Sequence, residues 1–236
     1  MSTVRQVVLD TETTGLEWRQ GERVIEIGCV ELVSRKLTGR HFHQYLNPEK
    51  AIAAGAQAVH GLTDEFLADK PMFADIADEF LAFIEGAELI IHNAPFDVGF
   101  LDNELGLLGR EPLKSVCGNI IDTLRMARDM RPGKRNGLDA LCIEFGVDNS
   151  GRQLHGALLD AELLSDVYLA MTRGQDSLMM DLDMALFDPG WARGERPPIR
   201  VLAASAEDLV EHERVLAEID KESKGKTLWR TLLAEA

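Results

Sequence analysis

Four acidic side chains stand in this sequence where apolar residues belong. The stretch "QVVLDTETTG", Gln6 to Gly15, reads as a buried strand over Val7, Val8 and Leu9 that ends in Asp10 and Glu12. Strand side chains alternate between faces, so these two carboxylates share one face. Like charges that close repel, and burial sharpens the repulsion. Asp97 opens a helical stripe, with Phe100, Leu101, Leu105 and Leu108 at offsets 3, 4, 8 and 11. Asp160 opens another, with Leu163, Leu164, Val167 and Met171 at 3, 4, 7 and 11. One such acid would be read as a hydrogen-bonded core residue or a helix start. Four of them, aimed at a core, are too costly to leave uncompensated. Divalent Mg²⁺ or Mn²⁺, which take hard oxygen ligands, are the simplest compensation. Two such ions about 3.5–4 Å apart can flank a phosphodiester. His155, five residues before Asp160 on the loop entering its helix, suits a general base, because an ordinary histidine titrates near pH 6.5.

These residues need a sheet and covering helices to hold them. Residues 4–10, 23–33 and 40–46 read as strands in an antiparallel meander, with "SRKLTG" as the connector. Strands are expected again at 87–93 and 118–121, and helices at 72–85, 97–108, 123–130, 137–145 and 157–172. Strands first, then strands alternating with helices, indicate an α/β mixed sheet flanked by helices. Asp122 reads as an N-cap, and His41 and His43 as a solvated strand edge. After Arg173 the chain loses periodicity. Residues 174–200 hold three glycines and three prolines and read as a flexible linker. Residues 206–221 form an amphipathic helix candidate, with Leu209, Val215, Leu216 and Ile219 on or near one face. The expected division is therefore 1–173, 174–200 and 201–236.

Composition narrows the classes. Of the 236 residues 45% are hydrophobic and 28% charged, the balance of an ordinary globular protein. The start shows no basic segment followed by an apolar one, and no apolar run is long enough to span a bilayer. With Cys29, Cys117 and Cys142 odd in number and widely spaced, reduced core thiols and a cytoplasmic setting are expected. A net charge of −15 argues against tight independent binding to a polyanion. It leaves room for a nucleic-acid enzyme that offsets charge with metal ions and takes its grip on DNA from a partner.

"LDTETTG", "HNAPFD" and "HGALLDAELL" resemble, in order and spacing, the three motifs of the DEDD superfamily of 3′→5′ exonucleases in its histidine variant. The match spans about 170 residues, and any one motif alone would be weak. The resemblance implies a ribonuclease-H-like fold and hydrolysis at the 3′ end of DNA to nucleoside 5′-monophosphates. It places two divalent ions on Asp10, Glu12, Asp97 and Asp160, and the general base on His155. It places the terminal nucleotide near Thr13, Gly15, Leu16, His60, Asn93 and Phe96. From the residues alone, Gly15 also suits a turn and Phe96 core packing.

The tail "HERVLAEIDKESKGKTLWR" resembles the C-terminal segment of the proofreading subunits of bacterial replicative polymerases, which binds the polymerase (alpha) subunit of DNA polymerase III. Leu228 and Trp229 would carry that contact. "QDSLMM" resembles a sliding-clamp peptide, with Gln175, Leu178 and Met180 as its contacts. A small accessory subunit is a further partner the resemblance leaves open. The intact acids and His155 argue against a non-catalytic scaffold. The linker and tail argue against a stand-alone trimming enzyme.

Overall fold

The computed structural model describes residues 4–152, 154–173 and 204–223. The described residues up to 173 belong to one compact unit and those from 204 to another, in which a single helix is described. The first carries five strands: β1 (Arg5–Thr13), β2 (Val24–Val33), β3 (Lys36–Tyr45), β4 (Glu88–Ile91) and β5 (Asn119–Asp122). Its helices are α1 (Ala54–His60), α2 (Asp64–Leu67), α3 (Phe73–Ile84), α4 (Ala94–Leu107), α5 (Thr123–Met130), α6 (Leu138–Phe145) and α7 (Ala157–Met171). The helix of the second unit is α8 (Ala206–Glu222).

The sheet runs β3-β2-β1-β4-β5, with β2 antiparallel to its neighbours and β4 and β5 parallel to β1. Val7, Val8 and Leu9 are fully buried because β1 is central and covered on both faces. Val7 and Leu9 pack with Phe100, Leu101 and Leu105 of α4 and with α3. Val8 packs on the other face with Ala161 and Leu164 of α7. The α/β mixed sheet expected from the sequence is the one observed.

Several local expectations need correction. β1 does not stop at Asp10; it continues to Thr13, with a bulge between Glu12 and Thr13, so both acids lie within the strand. "SRKLTG" is not a loop. Ser34 and Arg35 alone turn the β2–β3 hairpin, both with positive φ, the geometry of a two-residue turn that usually carries Asn-Gly. Helix α4 begins three residues before Asp97, with Asn93 left-handed at its start and Pro95 in its first turn. Leu108 caps α4 and is exposed, so it leaves the stripe, whereas Glu104 joins it. Glu104 is buried because it accepts from Nε and Nη2 of Arg23, both at 2.7 Å, and from the Val24 amide. The short helices α1 and α2 were not foreseen. His43 is half-buried on Glu26, at 2.8 Å, and is not a solvated edge. On α8, Leu209, Val215 and Ile219 are exposed and only Leu216 of the expected face is buried.

The Asp160 stripe holds as expected, with Leu163, Leu164, Val167 and Met171 buried on α7. All three cysteines are buried and free. Asp122 caps α5, accepting from the Leu124 and Arg125 amides at 2.9 and 3.2 Å. Gln175, Leu178, Met180, Leu228 and Trp229 lie outside the described residues.

Candidate active site

The acids converge because two layers meet over one strand. Asp10 and Glu12 follow Val8 on the α7 face of β1. Asp10 pairs across the ladder with Gly28 of β2. A Cβ on Gly28 would lie 2.2 Å from the Ala157 carbonyl carbon, so the missing side chain is what lets the start of α7 lie on the sheet there. Asp160, one turn into α7, thereby reaches Asp10 and Glu12. Asp97 arrives from the opposite layer. Its Oδ1 accepts from the Thr11 amide at 3.1 Å and from the Thr11 hydroxyl at 2.6 Å, which fixes one oxygen and leaves the other to the cleft.

Asp10, Glu12, Asp97, Asp160 and His155 line one cleft of about 920 Å³, together with Leu16, Asn93 and Phe96. Thr13, Gly15, Leu16, His60 and Phe96 line an adjoining, largely apolar pocket of about 600 Å³. The two share Thr11, Glu12, Leu16 and Phe96. All eleven residues singled out from the sequence in residues 4–173 therefore lie in adjoining depressions. Leu16 projects from its turn with 78% exposure. His60 is buried; its Nδ1 accepts from the Leu62 amide at 3.0 Å, so Nε2 carries the proton. That Nε2 has no hydrogen-bond partner among the described residues.

Burial and crowding set the acids of this cleft apart from ordinary carboxyls. Burial first, then the charges of Asp97, Asp160 and Glu12, push the Asp10 carboxyl well above its ordinary range. Burial, then Asp160 and Glu26, push Glu12 up to about 8. Burial raises Asp97 to about 7 against the pull of its Thr11 hydrogen bonds. Clustered carboxylate oxygens are hard donors that would suit a divalent cation, whose charge would favour their ionised form. One ligand atom each of Glu12, His155 and Asp160 lies within 4.8 Å of the others.

Two charged neighbours escaped the sequence reading. Glu26 is buried and faces Glu12 across the β1–β2 ladder; only its place in a strand of buried residues could have signalled it. Arg152, whose side chain is 6% exposed, donates Nε to Asp160 Oδ1 at 2.6 Å and Nη2 to Oδ2 at 2.5 Å. Its Nη1 reaches Asp139 at 2.6 Å and its Nη2 lies 2.8 Å from His155 Nδ1. It is the counter-charge of Asp160. A lone cation eight residues before an acid has no periodic signal, so nothing in the sequence singled it out.

These shifts fix a pH dependence. The folded chain holds Glu12 and Asp97 protonated up to about pH 8 and 7, whereas unfolded carboxyls lose protons near their ordinary values of 4.5 and 3.8. The native state therefore binds more protons than the unfolded state across that window, and metal-free stability falls as pH rises through it. Glu12→Gln in EDTA is expected to melt several degrees above the wild type at pH 8 and close to it near pH 4. Thermal melts at both pH values decide this; a less stable variant at pH 8 contradicts it.

Residues 7–168 match the family model described as an exonuclease. The chain is 50% identical over 243 residues to DNA polymerase III subunit epsilon of Salmonella typhimurium, covering 98% of this chain and 100% of that protein. It is 49% identical, with the same coverage, to the subunit of that name from Escherichia coli. Among solved structures it resembles the nuclease domain of 3′hExo, a DEDDh family member bound to rAMP, with a TM-score of 0.63 and 17% identity over 73% of this chain and 94% of that one. It also resembles exonuclease X in complex with 5′-overhanging duplex DNA, with a TM-score of 0.56 and 23% identity over 72% of this chain and 92% of that one. The chain belongs to the exonuclease family, within the group of DNA polymerase III epsilon subunits.

Proposed function

We propose that this 3′→5′ exonuclease serves as the proofreading subunit of a replicative DNA polymerase and that its chemistry is carried by Asp10, Glu12, Asp97, Asp160 and His155. The observation that supports this most is the convergence of four acids from β1, α4 and α7 in one cleft. Asp10, Glu12, Asp97 and Asp160 would hold two divalent ions, Mg²⁺ or Mn²⁺. Bound there, such ions supply charge neutralisation at the phosphodiester and an activated water. His155 takes the proton of the attacking water. Thr11 orients Asp97, and Arg152 orients Asp160; a carboxylate has about four lone-pair sites, so Asp160 can keep Arg152 and still serve an ion.

The terminal nucleotide occupies the apolar pocket beside the acids. Leu16 and Phe96 offer apolar surface to its base, and the unpartnered Nε2 of His60 offers a donor. Thr13 and Gly15 set the turn that carries Leu16, the Thr13 hydroxyl donating to the Gly15 carbonyl at 2.6 Å. Asn93, at the start of α4, lines the cleft from the other side.

The remaining chain would tether this domain. Residues 1–173 contain every proposed catalytic residue, and residues 201–236 would bind the alpha subunit of the polymerase, with Leu228 and Trp229 as anchors. Gln175, Leu178 and Met180 would contact the sliding clamp. Tethering raises the effective concentration of the nuclease at the primer end without new contacts to DNA. A fragment of residues 1–173 is expected to digest single strands as fast as the full chain and to lose binding to purified polymerase subunit. A peptide of residues 201–236 is expected to bind it alone, weakened most by Trp229→Ala. Pull-downs decide this: equal binding by fragment and full chain removes the tail as tether. No helix among the described residues is long and apolar enough to cross a membrane.

A further inference from the structure

The net charge of the whole chain hides a local reversal. Residues 124–136, "LRMARDMRPGKRN", carry five cations and one acid, Asp129, a local charge of +4 in a chain of −15. Arg131 is engaged with Glu144 at 2.7 Å. Arg125, Arg128, Lys134 and Arg135 are exposed and form no ion pair among the described residues. Such cations cost nothing to leave solvated, so their clustering says little alone. Their position says more.

β1, β4 and β5 are parallel, and their carboxyl ends open on one edge of the sheet, where ligands of open α/β sheets bind. The acids occupy that edge at the end of β1. His92 and Asn93 follow β4, and Asp122 leads from β5 into α5. A second depression, of about 640 Å³, is lined by His92, Asn93, Arg128, Lys134, Asn136 and Gly137. His92, Asn93, Asn136 and Gly137 also line the acidic cleft, so the two are one continuous groove. The loop bearing Lys134 is held in place: buried Asn136 donates Nδ2 to the Lys134 carbonyl at 3.1 Å, and the Asn93 amide donates to Asp122 at 3.3 Å.

We infer that this groove binds the backbone phosphates of the substrate strand on the 5′ side of the scissile bond, with Arg128 and Lys134 as their partners. The inference rests on the exonuclease reading above. The scissile phosphate lies between the terminal nucleoside and the next one. With the terminal nucleoside in the apolar pocket on the β1 side of the acids, the rest of the strand leaves on the opposite side, along β4 and β5. A strand leaving the acids must first escape four carboxylates, and the first cations on that path are Arg135 at the cleft and Arg128 and Lys134 beyond it. Contacts to phosphate are indifferent to base sequence, as removal of any terminal nucleotide requires. The acidic chain thus has a short grip of its own, sized for a few nucleotides.

The test compares two substrates on the full-length protein. One is the oligonucleotide dT12, which has upstream phosphates; the other is the p-nitrophenyl ester of thymidine 5′-monophosphate, which has none. The variant is Arg128→Gln/Lys134→Gln, whose positions line the outer depression and not the acidic cleft. On dT12 its kcat/KM at low salt is expected to fall on the order of tenfold, through KM, and the slope of log(kcat/KM) against log[KCl] to flatten by about 0.7 per lost contact. On the ester the two proteins are expected to agree within about twofold. Anisotropy of labelled dT12 reads the same loss of binding independently of turnover. The conservative exchange Arg128→Lys/Lys134→Arg is expected to restore both affinity and slope. Unchanged dT12 kinetics, binding and slope overturn the inference, and so does an equal decline on both substrates. A wild-type protein that binds dT12 through these residues yet hydrolyses neither substrate with Mg²⁺ or Mn²⁺ present would instead overturn the assignment of the acidic centre.

Discussion

Asp10→Ala/Glu12→Ala is expected to abolish release of nucleotides from a 3′-labelled single strand while leaving the protein folded. Both side chains project from the central strand into the cleft that Asp97 and Asp160 enter from two other elements. Removing them takes away two of the four carboxylates proposed to hold the ions. Electrostatic preorganisation of this kind is worth about 10²–10³ per donor, so the rate is expected to fall by at least about 10³. Stability moves the other way. Burial and mutual repulsion hold Asp10 and Glu12 far above their ordinary pKa range, which is a cost to the metal-free fold at neutral pH. The double variant is therefore expected to melt no lower than the wild type in EDTA at pH 8. It is also expected to lose the stabilisation that added Mn²⁺ gives the wild type. Retained hydrolysis would remove both residues from the chemistry, and a collapsed fold would make them structural.

His155→Ala is expected to lower turnover by about 10²–10⁴, the usual worth of a positioned general base. His155 is 44% exposed, and its Nδ1 lies 2.8 Å from Arg152 Nη2 and 3.3 Å from Asp160 Oδ2. A guanidinium only donates, so this contact occupies the Nδ1 lone pair. A base acting on water must offer a ring nitrogen that carries no proton and faces no donor, which is Nε2 of the tautomer with its proton on Nδ1 toward Asp160, or Nδ1 released from Arg152. Neutral imidazole is the form that takes a proton from water. At saturating metal the wild type is expected to lose activity on the acid side, and the residual activity of His155→Ala to lose that limb. Calorimetric titration with Mn²⁺ separates the two roles the position allows. A base leaves metal affinity nearly unchanged when removed. A ligand, which the 4.8 Å grouping with Glu12 and Asp160 would permit, takes the affinity with it.

The chemistry was legible in the sequence because it violates periodicity. An acid on the apolar stripe of α7 is conspicuous from the spacing of Leu163, Leu164 and Val167, and the stripe is a property of one helix. The same holds for Asp10 and Glu12 after Val7-Val8-Leu9. Motif order then related the three segments by resemblance. Turns and cross-strand pairs leave no such mark. Ser34-Arg35 carries no turn signal because neither residue favours positive φ; the pairing of two ten-residue strands imposes it. Glu26 reads as one residue of a half-polar strand until the ladder sets it against Glu12.

By itself the sequence set the apolar stripes and the strand on which four carboxylates stand, with a histidine shortly before one of them. Element periodicity suffices for that, since it depends only on backbone geometry. The tertiary structure decided where these groups meet and what else stands there. Asp97 and Asp160 lie on opposite layers of the sheet and meet only because Gly28 lets α7 lie against β2 while Thr11 draws Asp97 to β1. Arg152 becomes a partner of Asp160, eight residues on, only in the folded chain. The cations at 128 and 134 become a groove only when the parallel strands align their ends. Contacts between segments far apart in sequence depend on how crossovers pack, which no local pattern records.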